Sequence, residues 1–145
     1  MPFHFKMQKV LDYREQLEEE AKVRLAQAIQ RHDAARETLE RFREELARAE
    51  RKRADSPLMD AAACWLMEQY IKGLAGDVSN AAMQERMTAQ MVEEARKLLA
   101  ARAIDKKLLA KLRERQKTAW AREELLKEQH FNDEIATIRY KASAF

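Results

Sequence analysis

The side chains that most often carry catalysis or bind metals are few in this chain and widely separated. His4, His32 and His130 stand far apart, and none belongs to an H-x-x-x-H or E-x-x-H motif. Cys64 is the only cysteine, so no internal disulfide can form. The only two glycines lie three residues apart, which excludes a phosphate-binding glycine-rich loop. We therefore expect no catalytic residue, no metal and no cofactor, and a function of binding rather than of reaction.

The composition is typical of long helices. Ala, Glu, Lys, Leu and Arg together make up more than half of the 145 residues, as in coiled coils. Two Gly and two Pro leave little material for turns, so the elements must be few and long. The sequence predicts an all-α protein, an elongated antiparallel two-helix coiled coil with a short helical head segment, forming a single domain over residues 1–145.

A regular heptad begins at Leu25. Apolar or small residues, with one histidine, then follow at steps of three and four, as the a and d positions of a two-helix seam do: Leu25, Ala28, His32, Ala35, Leu39, Phe42, Leu46 and Ala49. Upstream, Val10, Tyr13, Leu17, Ala21 and Leu25 step by three, four, four and four, which predicts a local insertion in the heptad. His32 is interpreted as a core residue of the seam rather than a ligand.

One clear helix break occurs at Ser56-Pro57, where Ser56 is predicted to cap a helix that begins at Pro57. We expect a first helix over about 5–53, a head over about 54–92 and the remainder of a long last helix to about residue 140. Gly73 and Gly76 predict a kink or short break within the head, after a helical stretch over 58–71. If both chain ends meet at one tip, Arg53 should lie near Glu93.

Nothing in the sequence indicates export or membrane insertion. Residues 1–9 alternate aromatic and polar side chains and lack the apolar core of a secretory signal. No stretch approaches the 18 consecutive apolar residues of a membrane span. A soluble, cytoplasmic protein is expected.

The last third of the chain carries a basic run that could meet an anionic partner. Its members are Lys106, Lys107, Lys111, Arg113, Arg115, Lys117 and Arg122. They scatter around the helix, and Trp120 is the only aromatic residue among them, so a solvated helix face is favoured over a nucleic-acid site.

The N-terminal sequence, from Phe3 to Glu15 (FHFKMQKVLDYRE), resembles the start of the FliJ family, the soluble stalk protein of the flagellar type III export apparatus. Members open with spaced aromatic or apolar residues, followed by Leu or Val with Leu, an aromatic residue or Leu, and Arg or Lys ahead of a long Glu-rich helix. The length, the long helices and the absence of cysteine chemistry agree with this resemblance over the whole chain.

The resemblance implies a coiled coil similar to the central stalk of rotary ATP synthases, inserted in a hexameric export ATPase. It also implies contacts with the membrane export-gate protein and with export chaperones, at the inner membrane. Tyr70 and Leu74 match the first half of the family's gate-binding motif, whereas Asp77 and Ala81 depart from its second half. The expected ATPase-binding tip comprises Phe3, Phe5, Val10, Leu11, Phe131, Ile135 and Ile138.

Two alternatives remain open at this point. A virulence-type secretion system uses an analogous stalk and fits the same sequence features. A basic coiled-coil module that binds nucleic acid or the ribosome fits the composition and the basic run, without any export function.

Overall fold

The computed structural model describes residues 1–143 and consists of two long helices, α1 (Gln8–Ala54) and α2 (Ala61–Ser143). The helices pack against each other as an antiparallel hairpin, and the described residues contain no strand. The prediction of an all-α, two-helix coiled coil is therefore confirmed. Contacts divide the chain into unit 1, which is Met1–Glu18 with the described residues of Arg102–Phe145, and unit 2, Glu19–Ala101.

The connection between the helices lies in unit 2. α1 ends in a basic turn, where cations favour the negative end of the helix dipole. α2 begins later than predicted, because Asp60 rather than Ser56 caps it: the Ala63 amide donates to Asp60 Oδ1 at 2.7 Å. Arg53 then fixes the reversal by donating to the Cys64 carbonyl at 3.1 Å and to Glu68 Oε1 at 2.7 Å.

The partner of Arg53 also corrects the predicted pairing. Arg53 binds Glu68 and not Glu93, because the chain reverses directly at residues 55–60. Residues 61–92 lie within α2, so the expected separate head is wrong. α2 also continues through Gly73 and Gly76 without the expected break, and neither glycine has a positive φ.

The heptad of unit 2 is arranged as the sequence predicted. All eight positions from Leu25 to Ala49 are buried or half-buried, while the residues between them are mostly exposed. Leu39 and Ala49 are buried on α1, and Leu74, Ala81 and Val92 are buried on α2. Small side chains thus form much of this seam.

In unit 1 the predicted register of α1 is wrong by one residue. Val10 and Tyr13 are exposed, whereas Leu11, Arg14 and Glu18 face α2. These three positions keep regular steps of three and four, so the expected insertion is absent. Apolar periodicity cannot mark this part of the seam, because two of its positions, Arg14 and Glu18, are charged.

Candidate functional site

Unit 1 contains an aromatic cluster at the start of the chain. Phe5, Leu11 and Leu109 form its buried core, with Phe3 and Ala110 packed against it. The turn that precedes α1 positions Phe5, whose carbonyl accepts a hydrogen bond from the Gln8 amide at 3.1 Å. Of the N-terminal members of the predicted tip, Phe5 and Leu11 are therefore buried and Phe3 is half-buried, whereas Val10 is exposed.

Phe3 extends this cluster along α2. Its ring lies 6.0 Å from that of Trp120, with the planes tilted by 50°. The Arg113 guanidinium lies 5.9 Å from the centre of the Phe3 ring, within the range of a cation–π contact. Phe3 is consequently half-buried between an aromatic and a cationic residue of the same helix.

Charged side chains fix the helix pairing in unit 1, and sequence reasoning missed them. Arg14 donates to the Asp105 carbonyl at 2.8 Å, and Lys106 Nζ lies 2.9 Å from Glu18 Oε2. Arg113 Nε donates to Gln8 Oε1 at 3.1 Å. The sequence could have indicated two of them by their spacing. Arg14 and Glu18 follow Leu11 at steps of three and four, as seam positions of a heptad do.

The C-terminal members of the predicted tip lie apart from the N-terminal ones. Trp120 contacts the N-terminal cluster through Phe3, and α2 continues for 23 residues beyond it, over 121–143. Phe131, at 62% exposure, and Ile138 are uncovered, and Ile135 is half-buried. We name residues 121–143 the C-terminal extension. The structure therefore brings Phe3, Phe5 and Leu11 together and leaves Phe131 and Ile138 as a separate exposed surface.

The two residues matched to the gate motif differ in accessibility. Tyr70 is 55% exposed, whereas Leu74 is 5% exposed and faces the seam. Tyr70 borders a groove of about 650 Å³ near the helix connection, which we call the turn groove. Both helices line it, α1 with Arg48 and Ala49 and α2 with Leu66 and Met67.

The departures from the gate motif are also visible. Ala81 is buried in the seam, and Asp77 lines a smaller groove of about 320 Å³ together with Phe42. A carboxylate thus stands where the resemblance would place a small apolar residue. Of the four motif positions, Tyr70 and Asp77 are the two that a partner can reach.

His32 occupies the seam of unit 2, as predicted. Its Nδ1 lies 3.2 Å from Thr88 Oγ1, and its Nε2 lies 3.8 Å from Glu85 Oε1. The Thr88 hydroxyl also lies 2.8 Å from the Gln84 carbonyl, so His32 takes part in a polar contact within the seam. Within residues 1–143, no group of three or more His, Cys, Asp or Glu side chains is placed to hold a metal ion.

The basic run of α2 is divided between two sides of the helix. Lys106 and Arg113 point toward α1, where they bind Glu18 and Gln8. The other five cations are exposed, and none of them forms an ion pair or hydrogen bond with any described residue: Lys107, Lys111, Arg115, Lys117 and Arg122. The scatter seen in the sequence thus separates into structural and unpartnered cations.

A family model described as "Flagellar FliJ protein" matches residues 3–144, nearly the whole chain. The chain belongs to the FliJ family. This membership implies a role related to flagellar export. Searches of the curated proteins and of the solved structures found no match. Neither helix, over the described residues, contains a segment long and apolar enough to cross a membrane.

Proposed function

We propose that this protein is a non-enzymatic coupling stalk of the flagellar type III export apparatus, located on the cytoplasmic side and peripheral to the inner membrane. In this function it binds the hexameric export ATPase, the membrane export-gate protein and export chaperones. The family match over residues 3–144 carries the proposal. The long paired helices add support, because such a hairpin offers partners extended surfaces and holds few groups for chemistry of its own.

The ATPase contact is proposed for the C-terminal extension. Phe131 and Ile138 are exposed apolar residues. They follow Trp120 by about three and five helical turns, and therefore lie on the same side of α2 as Trp120. The N-terminal segment that precedes α1 contacts this side at Trp120 through Phe3, and Phe131 and Ile138 lie beyond that contact. Covering an exposed apolar side chain with a partner lowers the free energy, so these residues favour a protein-binding surface. Phe3, Phe5 and Leu11 hold unit 1 together and act indirectly.

A double substitution in the extension tests the ATPase contact. Phe131→Ser with Ile138→Ser should leave the helix content nearly unchanged, since neither side chain is buried, and should abolish stimulation of the export ATPase. The matched control is Leu125→Ser with Leu126→Ser, which removes two exposed leucines from another side of the same segment. ATP turnover of the purified ATPase is the measurement. If the wild-type protein neither binds nor stimulates this enzyme, the proposal is wrong.

The export-gate contact is proposed for Tyr70 and the turn groove. Tyr70 presents an exposed aromatic ring beside Leu66 and Met67, and aromatic residues are frequent centres of binding energy at interfaces. Leu74 supports the helix pairing beneath and would not touch the partner.

Tyr70→Ala should weaken binding to the soluble part of the gate protein by at least about tenfold, as for a residue central to an interface. Tyr13→Ala removes an equally exposed tyrosine from α1 and serves as the control. Titration calorimetry measures both, and circular dichroism checks the fold. Equal affinities for the two variants would mean that the gate protein binds elsewhere on this protein and not at Tyr70.

A further inference from the structure

The side of α2 in unit 1 that points away from α1 has an unusual composition. Lys106, Arg113 and Trp120 mark the side that contacts residues 1–18. Successive helix positions differ by about 100°, so the opposite side can be read from the sequence. Between residues 104 and 126 this side carries no carboxylate. It carries four cations, four aliphatic residues and one threonine: Lys107, Lys111, Arg115, Arg122, Ile104, Leu108, Leu125, Leu126 and Thr118. We name these residues the outer face of α2.

The cations of the outer face are available to a ligand. Lys107, Lys111, Arg115 and Arg122 are all exposed, and none has a partner among the residues that the structure describes. Glu114 lies at the border of this face and is 3.7 Å from Arg113, a residue of the opposite side. The positive charge of the outer face is therefore not neutralised within the protein.

The aliphatic residues lie between these cations and are equally open. Ile104, Leu108, Leu125 and Leu126 are all more than half exposed. An anionic groove on a protein or a phosphate backbone would pair with the cations and leave these side chains in water. A lipid headgroup layer accommodates both, because the cations stay among the phosphates while the aliphatic side chains reach the acyl boundary.

We propose that the outer face of α2 binds the surface of a bilayer that contains anionic lipids, with the helix lying in the interface plane. The face spans about 33 Å at ~1.5 Å per residue, and four cations is the smallest number typical of helices that bind anionic leaflets. No aromatic residue is present on this face for base stacking, which disfavours single-stranded nucleic acid. This inference does not rest on the export function.

Sedimentation of the full-length chain with vesicles tests the proposal. Vesicles of phosphatidylcholine with about one third phosphatidylglycerol should bind the protein, and vesicles of phosphatidylcholine alone should not. Binding should fall as salt rises from ~0.1 M to ~0.5 M, because exposed charges are then screened. Absence of binding to the anionic vesicles at low salt overturns the proposal.

Paired charge substitutions locate the binding face. Lys107→Gln with Lys111→Gln should weaken vesicle binding about 25-fold, at about fivefold for each cation near the membrane. Lys117→Gln with Lys127→Gln removes the same charge from exposed positions on other sides of the same helix. This control should weaken binding less than about threefold, through net charge alone. An equal loss in both variants rejects the outer face as the site.

Substitution of the leucines separates a membrane from other anionic partners. Leu108→Gln with Leu126→Gln should reduce binding to anionic vesicles several-fold at ~0.5 M salt, where contact through charge is weak. Phe131→Gln with Ile138→Gln is the control, since these exposed apolar residues lie on the opposite side. If the leucine variant binds as well as wild type, or if wild type prefers a 20-base-pair duplex DNA to the vesicles, the membrane proposal is wrong.

Discussion

Units 1 and 2 use the same two helices and stabilise them differently. Unit 1 buries Phe5, Leu11 and Leu109 in one cluster and adds an ion pair between Glu18 and Lys106. Unit 2 buries mainly smaller residues, with Ala21, Ala49 and Ala81 among the most covered. One heptad pattern therefore supports both an aromatic, charged seam and an alanine-rich seam.

This difference affects what each unit can offer a partner. Large interlocking side chains fill the space between helices, and charged pairs at seam positions help to specify the register. Alanine leaves more open surface beside the seam, and the turn groove of about 650 Å³ lies at such a position, beside Ala49. We infer that unit 1 is built mainly for a fixed pairing and that unit 2 retains room for a bound segment.

The largest effect is expected in unit 2. Leu39 is 7% exposed and is one of its few large buried residues. Leu39→Asp should lower the free energy of unfolding by about 4 kcal/mol, because it removes apolar packing and buries a charge without a partner. Urea unfolding followed by circular dichroism measures the change.

An exposed aliphatic residue of the same helix provides the control. Val23→Asp introduces the same charge at a solvated position of α1, within unit 2, and should change the free energy of unfolding by less than about 0.5 kcal/mol. Similar losses for Leu39→Asp and Val23→Asp would mean that the seam assigned to unit 2 is wrong.

A smaller effect is expected from the aromatic cluster of unit 1. Phe5 is 4% exposed but lies in the segment that precedes α1, which can relax around a lost side chain. Phe5→Ala should therefore cost about 3 kcal/mol, at the lower end for buried phenylalanine. Phe131→Ala removes an exposed ring from the same unit and should cost less than about 0.5 kcal/mol. Thermal and urea unfolding compare the two, and equal costs would contradict the separation of the predicted tip into buried and exposed parts.

The sequence was sufficient for the fold class and for the seam of unit 2. Apolar periodicity from Leu25 to Ala49 and the scarcity of turn residues depend on local chemistry, which a sequence displays directly. The cap of α2 was misplaced because Ser56-Pro57 is a strong local signal, while Asp60 completes the cap four residues later.

The arrangement of the candidate sites could not be predicted in the same way. Which residues of α1 face which residues of α2 depends on where the chain reverses, and a turn at 55–60 moves the partner of Arg53 from Glu93 to Glu68. The same displacement separates Phe3 and Phe5 from Phe131 and Ile138. Charged seam residues such as Glu18 were missed because an apolar pattern cannot reveal them.

The smallest effect concerns the two glycines of α2, where sequence and structure disagree. Gly73 and Gly76 are helical, and a Cβ added at either would meet no atom within 4 Å. Alanine therefore fits without strain, and it restricts the unfolded chain more than glycine does. Gly73→Ala and Gly76→Ala should each stabilise the protein by about 1 kcal/mol, and Ala75→Gly, between them, should destabilise it by a similar amount. Urea unfolding of the three variants decides between a continuous helix and a break. If Ala75→Gly has no effect and the alanine substitutions destabilise the protein, α2 is interrupted at these residues. Unit 2 would then differ from unit 1 in its backbone as well as in its side-chain packing.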